Sequence, residues 1–203
     1  MRRRESSLAF TDLLFNALLG FVVMFVLAFL LINPVARSGA VDPKAEILIT
    51  LGWPDGREED VDLYVEDPAG ELVWFRRREA GLMHLDRDDL GELNDTIEVG
   101  GQTVQNPLNQ EIVSVRGLRP GEYVVNAHLY RAAAEGPVPV TVKVEKLNPR
   151  VEVVFYGTVE LTSQGDERTL VRFEIRGDGG VGAVTRLTKA LVPLRHRTAE
   201  GAP

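Results

Sequence analysis

Apolar residues are spread very unevenly along this chain. Residues 13–32 form an uncharged run of Leu, Phe, Val, Met and small side chains, and no comparable run follows. These 20 residues, as a helix rising 1.5 Å each, span about 30 Å, the thickness of a bilayer core. Asn33-Pro34 closes the run, because a residue before proline leaves the helical region. From Glu46 the apolar period changes to two. Ile47, Ile49 and Leu51 share a face, as do Val61, Leu63 and Val65. Val138, Val140, Val142 and Val144 alternate with Pro139, Thr141 and Lys143. The alternation resumes in Val151, Val153, Phe155, Gly157, Val159 and Leu161, then in Val171, Phe173 and Ile175. Turn signals separate these runs: Trp53-Pro54-Asp55-Gly56, Asp67-Pro68-Ala69-Gly70, Arg119-Pro120-Gly121 and Gly177-Asp178-Gly179-Gly180.

The pattern predicts a single N-terminal transmembrane helix followed by an all-β, immunoglobulin-like antiparallel sandwich of about eight to ten strands. The expected divisions are a basic stub and helix (1–33), a linker (34–45), the β domain (46–176) and a Gly-rich segment with a C-terminal tail (177–203). The tail from residue 195 is expected to be disordered.

Charge adds an orientation. Arg2, Arg3 and Arg4 precede the helix, whereas Arg37 and Lys44 are the nearby cations after it. The positive-inside rule puts the N-terminus in the cytoplasm and the β domain outside, which for a bacterial inner membrane is the periplasm. A cleaved signal peptide is the competing reading, with Ser38-Gly39-Ala40 as cleavage site. The run is longer than a typical apolar core of such a peptide, and Asp12 and Asn16 suit one poorly. A formal net charge of −7 argues against nucleic acid as a partner. The chain has no Cys, which removes disulfides, thiolate metal sites and cysteine nucleophiles. Its three His, at 84, 128 and 196, show no metal-ligand spacing. No nucleophile elbow, Walker A motif or dinucleotide fingerprint is present, so an enzyme is not expected.

Asp12 carries the most chemistry. On a helix, Ala9, Asp12, Asn16 and Gly20 fall on one small, polar stripe, each three or four residues from the next. A carboxylic acid in a membrane helix costs about 2.5–3.5 kcal/mol at the centre and less near an end, so such residues face a partner or a water path. The other reading makes Asp12 only the helix N-cap, just outside the apolar run.

The stretch Phe10-Thr11-Asp12-Leu13-Leu14-Phe15-Asn16-Ala17-Leu18-Leu19-Gly20-Phe21-Val22-Val23-Met24-Phe25 resembles the membrane helix of flagellar stator B subunits (MotB) and their relatives ExbD and TolR. The resemblance implies that Asp12 carries a translocated H⁺ or Na⁺, with Asn16, Gly20 and Thr11 shaping its path or packing. It further implies two such helices inside a pentamer of MotA-, ExbB- or TolQ-like subunits. The periplasmic domain would then act on an envelope or cell-wall target. Downstream the chain departs from the flagellar pattern, with no OmpA-like peptidoglycan-binding signature and a short Pro- and Gly-containing linker. The alternative function is a membrane-anchored periplasmic binding or adhesion module without ion transport.

A second resemblance covers roughly residues 46–146. Gly52-Trp53, then Asp60-Val61-Asp62-Leu63-Tyr64-Val65-Glu66-Asp67-Pro68-Ala69-Gly70, then Pro120-Gly121-Glu122-Tyr123-Val124-Val125 resemble the exported β-sandwich module of YfaP-type proteins. This implies a fold and no activity. Asp60, Asp62 and Asp67 are a candidate Ca²⁺ site, because hard cations favour clustered carboxylate oxygens. Asp86, Asp88, Asp89, Asn94 and Asp95 are a second acidic group that could contribute. The opposing reading gives these residues local backbone bonds, with Asp67 heading an Asp-Pro turn. Arg76-Arg77-Arg78 reads as a solvated hairpin edge, with binding of an anionic envelope component as the other reading. Trp53, Trp74 and Tyr123 read as core or turn packing.

Overall fold

The computed structural model describes residues 2–32, 45–91, 96–133 and 136–192. It divides into two compact units, Met1–Pro43 and Lys44–Pro203, each taken here by itself.

The first unit is the helix α1, Arg2–Ile32. Its segment Ala9–Phe29, 21 residues, is long and apolar enough to cross a membrane, a test that a signal sequence near an N-terminus also passes. Within this unit none of that segment is buried. Phe15, Phe21, Met24 and Phe25 are all exposed on this unit alone. An all-round apolar helix of this kind is stable only when lipid or another protein covers it.

The second unit is built from antiparallel strands. In chain order they are β1 Ile47–Gly52, β2 Asp60–Glu66, β3 Leu72–Val73, β4 Glu79–Ala80, β5 Met83–Arg87, β6 Thr96–Val99 and β7 Gln102–Gln105. There follow β8 Gln110–Val115, β9 Gly121–Arg131, β10 Val138–Lys146, β11 Glu152–Leu161, β12 Glu167–Ile175 and β13 Val181–Thr185. One sheet has the order β11-β10-β1-β8-β5-β4, the other β13-β12-β9-β2-β3, and β6-β7 form a separate hairpin. One core lies between the two large sheets. Ile47, Ile49 and Leu51 meet Val138, Val140, Val142 and Val144 from the first sheet, with Val61, Leu63, Val125, Ala127 and Phe173 from the second. The fold is thus one apolar helix followed by an antiparallel sandwich, as the alternation predicts.

Three departures from the predicted pattern have physical causes. In β11 the register with β10 slips between Val144 and Glu145, so that Phe155 opposes Val144 while Val153 opposes Glu145. A β-bulge of this kind reverses which face a residue takes. Val151 and Val153 are therefore exposed, whereas Val154 and Phe155 pack partly on the core. In β2 both faces are buried, because Tyr64 lies beneath Trp74, Val124, Leu191 and Val192 on the outer side of its sheet. The β domain also extends beyond residue 176. After the Gly-rich turn, β13 pairs with β12, and the Glu167 carboxylate accepts the Leu191 and Val192 N–H groups at 2.5 and 3.0 Å. The tail from residue 195 lies outside the described residues.

The two turn motifs that bracket β2 and β9 are in contact. Asp67 Oδ1 accepts the N–H groups of Ala69 and Glu71 at 2.8 and 3.0 Å, and its Oδ2 accepts from Arg119 at 2.7 Å. Tyr123 Oη in turn accepts the Arg119 N–H at 3.1 Å, tying the start of β9 to the residues before it. Gly121 has φ +125°, and a Cβ there would lie 2.6 Å from Pro68 Cβ. Gly121→Ala therefore combines backbone strain with overpacking, and is expected to destabilise the domain by about 2–4 kcal/mol. Gly56, at φ +70°, has nothing within 4 Å of a Cβ, so Gly56→Ala should lose only about 1–2 kcal/mol. Denaturant unfolding of the two variants beside the parent chain checks that order.

Candidate functional site

Candidate functional carboxylates occur in both units. In the first, α1 begins at Arg2 and is helical without interruption through Asp12 to Ile32. Asp12 is therefore inside the helix rather than at its N-cap, and it lies within the membrane-length segment Ala9–Phe29. At about 100° per residue, Ala9, Asp12, Asn16 and Gly20 fall within an arc of about 80°. Thr11 is about 100° around the helix from Asp12, off that stripe, so the stripe comprises Asp12, Asn16 and Gly20 without Thr11. Space beside Gly20 is open, since a Cβ there meets nothing within 4 Å.

In the β unit the acidic residues divide differently from their order in the sequence. Asp67 is consumed by its turn and by Arg119, as described above, and is not part of a cation cluster. Asp62 on β2, Asp88 after β5 and Glu111 on β8 each offer an oxygen, and the three oxygens lie within 4.8 Å of one another. Asp62 and Glu111 are buried, and Asp88 is half-buried. Asp60, two residues before Asp62, is also buried. Of the remaining acidic residues, Asp86 contacts His84 Nδ1 at 2.8 Å. Asp89 accepts from Arg87 at 2.8 Å and from the Gly91 N–H at 3.1 Å. Asn94 and Asp95 lie outside the described residues.

Strand geometry explains the gathering. Glu111 points the same way as Val113 and Val115 on β8, into the domain. β3 pairs with β2 only at Val65 and Glu66. Glu111 Oε2 fills part of the remaining flank by accepting the Leu63 N–H at 2.6 Å. This carboxylate thus stands in for a strand partner across the two sheets. His128 on β9 is opposite Asp62 in the register, and its Nδ1 lies 3.5 Å from Asp62 Oδ2.

The electrostatic consequence is marked. Burial pushes the Asp60 carboxyl up to about 7, helped by the Asp62 charge and opposed by Arg131. Glu111 is raised well above the usual carboxylate range, first by burial and then by the Asp62 charge. Asp88 adds like charge and a hydrogen bond that favours the protonated form. The Asp62 and Asp88 charges have the sign of the Glu111 anion, which the Leu63 N–H favours. Among the described residues, no N–H or hydroxyl group donates to the buried Glu111 Oε1 or Asp60 Oδ1.

Glu111 was missed as a ligand candidate, yet its signal was legible in principle. Glu111, Val113 and Val115 keep a period of two, which places an acid on an apolar face. Arg76, Arg77 and Arg78 do local work: Arg76 lies 5.2 Å from the Phe75 ring centroid, Arg77 pairs with Glu71, and Arg78 donates to the Leu85 carbonyl. Trp53 is in the main core, Trp74 stacks on Tyr64, and Tyr123 stacks on Phe173, all packing roles. No family model, curated protein or solved structure matches this chain.

Proposed function

We propose that this chain is the B-type subunit of an ion-driven complex in the bacterial inner membrane, with Asp12 as the ion carrier. The observation that carries the reading is the position of Asp12 inside an uninterrupted, membrane-length apolar helix. A carboxylic acid there is held against lipid-like surroundings unless a partner surrounds it. The similarity to MotB, ExbD and TolR helices supplies the kind of partner: a MotA-, ExbB- or TolQ-like pentamer around two copies of this helix. In such a site the neutral acid can face a desolvated wall, and the anion can face an aqueous half-channel. One unit charge crossing 100 mV releases about 2.3 kcal/mol, and the supply recurs with each ion. Asn16 and Gly20 continue the same face, where a small and polar surface lets a neighbouring helix approach. The translocated species is H⁺ or Na⁺, with the choice resting largely on the partner. The β domain couples this movement to an envelope target.

The orientation follows from Arg2, Arg3 and Arg4 ahead of the apolar run. A periplasm-dependent reporter fused after Pro203 is expected to be active, and a cytoplasm-dependent one silent. The reverse outcome rejects the topology.

Asp12→Asn is expected to abolish ion flux and activity while leaving insertion and assembly intact. Asn preserves size and some hydrogen bonding but can neither exchange a proton nor carry charge. Flux is measured in cells containing the co-purifying membrane partner, with recovery of the complex as the control. Full flux in the Asn variant would reduce α1 to an anchor and leave a tethered binding module.

A further inference from the structure

The carboxylate group in the β unit is independent of the membrane helix and has its own chemistry. Three oxygens from Asp62, Asp88 and Glu111 converge within 4.8 Å. Buried acids alone do not make a cation site, because protons can neutralise them. Two further observations separate this group from a chance cluster. Glu111 is 1% exposed; its Oε2 accepts the Leu63 N–H, and among the described residues no N–H or hydroxyl donates to its Oε1, the Asp88 carboxyl being the side chain within hydrogen-bonding reach of Glu111. Asp60, which is not among the three, adds another buried oxygen, Oδ1, to which likewise no N–H or hydroxyl among the described residues donates. Asp60 and Asp62 alternate on β2 and therefore share a face. Arg87 pairs with Asp89, and Arg131, whose charge acts on Asp60, donates its hydrogen bonds to the Glu58 and Leu90 carbonyls.

We propose that Asp62, Asp88 and Glu111 bind one hard divalent cation of the calcium class, with Asp60 as an additional carboxylate at its edge. All the donors are oxygens, which selects against the softer ions that prefer thiolate or imidazole. Calcium takes six to eight oxygens at about 2.3–2.6 Å, so oxygens on opposite sides of the ion are separated by roughly twice that distance. Oxygens that all lie within 4.8 Å of one another fit inside that diameter. Asp88 is half-buried and forms the solvent side of the site, where the remaining coordination positions can be filled by water. The three ligands come from β2, from the segment after β5 and from β8. An ion held among them links the two sheets where β2 lacks a strand neighbour. It also supplies the positive charge that the anionic form of Glu111 otherwise lacks.

The test uses the full chain in detergent, stripped with EDTA and exchanged into chelator-free buffer. Calcium chloride is titrated by calorimetry, and thermal unfolding is followed with and without it. One Ca²⁺ per chain is expected, with a rise in Tm of about 5 °C or more at saturating calcium. Asp88→Asn and Glu111→Gln should each weaken binding by at least tenfold. Circular dichroism verifies that each variant is folded, and Asp88, the more exposed ligand, provides the readout if Glu111→Gln does not fold. Asp67→Asn should bind as the parent does, which separates this cluster from the Asp60, Asp62 and Asp67 set suggested by spacing. The proposal is overturned by absence of calcium heat and of a Tm shift at millimolar calcium. Undiminished binding in Asp88→Asn, or an equal response to magnesium, overturns it too.

Discussion

Asp60, Asp62 and Tyr64 alternate along β2 with Val61, Leu63 and Val65, and both rows are shielded from water. A strand buried on both faces has no solvated side on which to carry charge. The rest of the β unit is arranged around that constraint. Trp74 and the segment at Leu191 and Val192 cover the Tyr64 side. Glu111 closes part of the open flank through the Leu63 N–H. His128 stands beside Asp62, and Asp67 ends the strand in a turn locked by Arg119. The carboxyls of Asp60 and Glu111 are desolvated, which disfavours their charged forms. Their neutralisation, by proton or by cation, is what the site requires.

On the proposed reading, α1 presents the same physics in another solvent. Asp12 belongs to a segment whose other side chains are suited to lipid or to tight packing. An isolated carboxylate has no stable place there in its charged form. A partner that provides a water path on one side and a dry wall on the other converts this cost into a gated charge. The role proposed for the chain therefore needs no catalytic cleft. It needs one titratable group, a small and polar helix face, and a domain able to transmit movement.

Much of the architecture was readable from periodicity. The strict alternation from Val138 to Val144 became β10, and Ile47, Ile49 and Leu51 became the inward row of β1. What escaped depended on contacts between distant residues. Nothing local to Val153 announces the bulge that turns it outward, because the slip is defined by pairing with β10. The strand after Gly180 was hidden by the Gly-rich turn, and its place is set by β12. Asp67 was grouped with Asp60 and Asp62 by proximity in sequence, whereas the Asp-Pro turn directs it to Arg119. Glu111 comes from a strand that lies 48 residues from its bonding partner Leu63. Conversely, the continuous helix through Asp12 distinguishes an interior acid from a cap, a choice that spacing alone left open.

On the proposed reading, α1 works inside an assembly rather than as a lone anchor. Native mass measurement of the chain extracted from its own membranes tests this most directly. The expected result is a complex with two copies of this chain and five copies of a polytopic membrane protein. Recovery of the chain as a monomer, or without any polytopic partner under mild detergent, would contradict it.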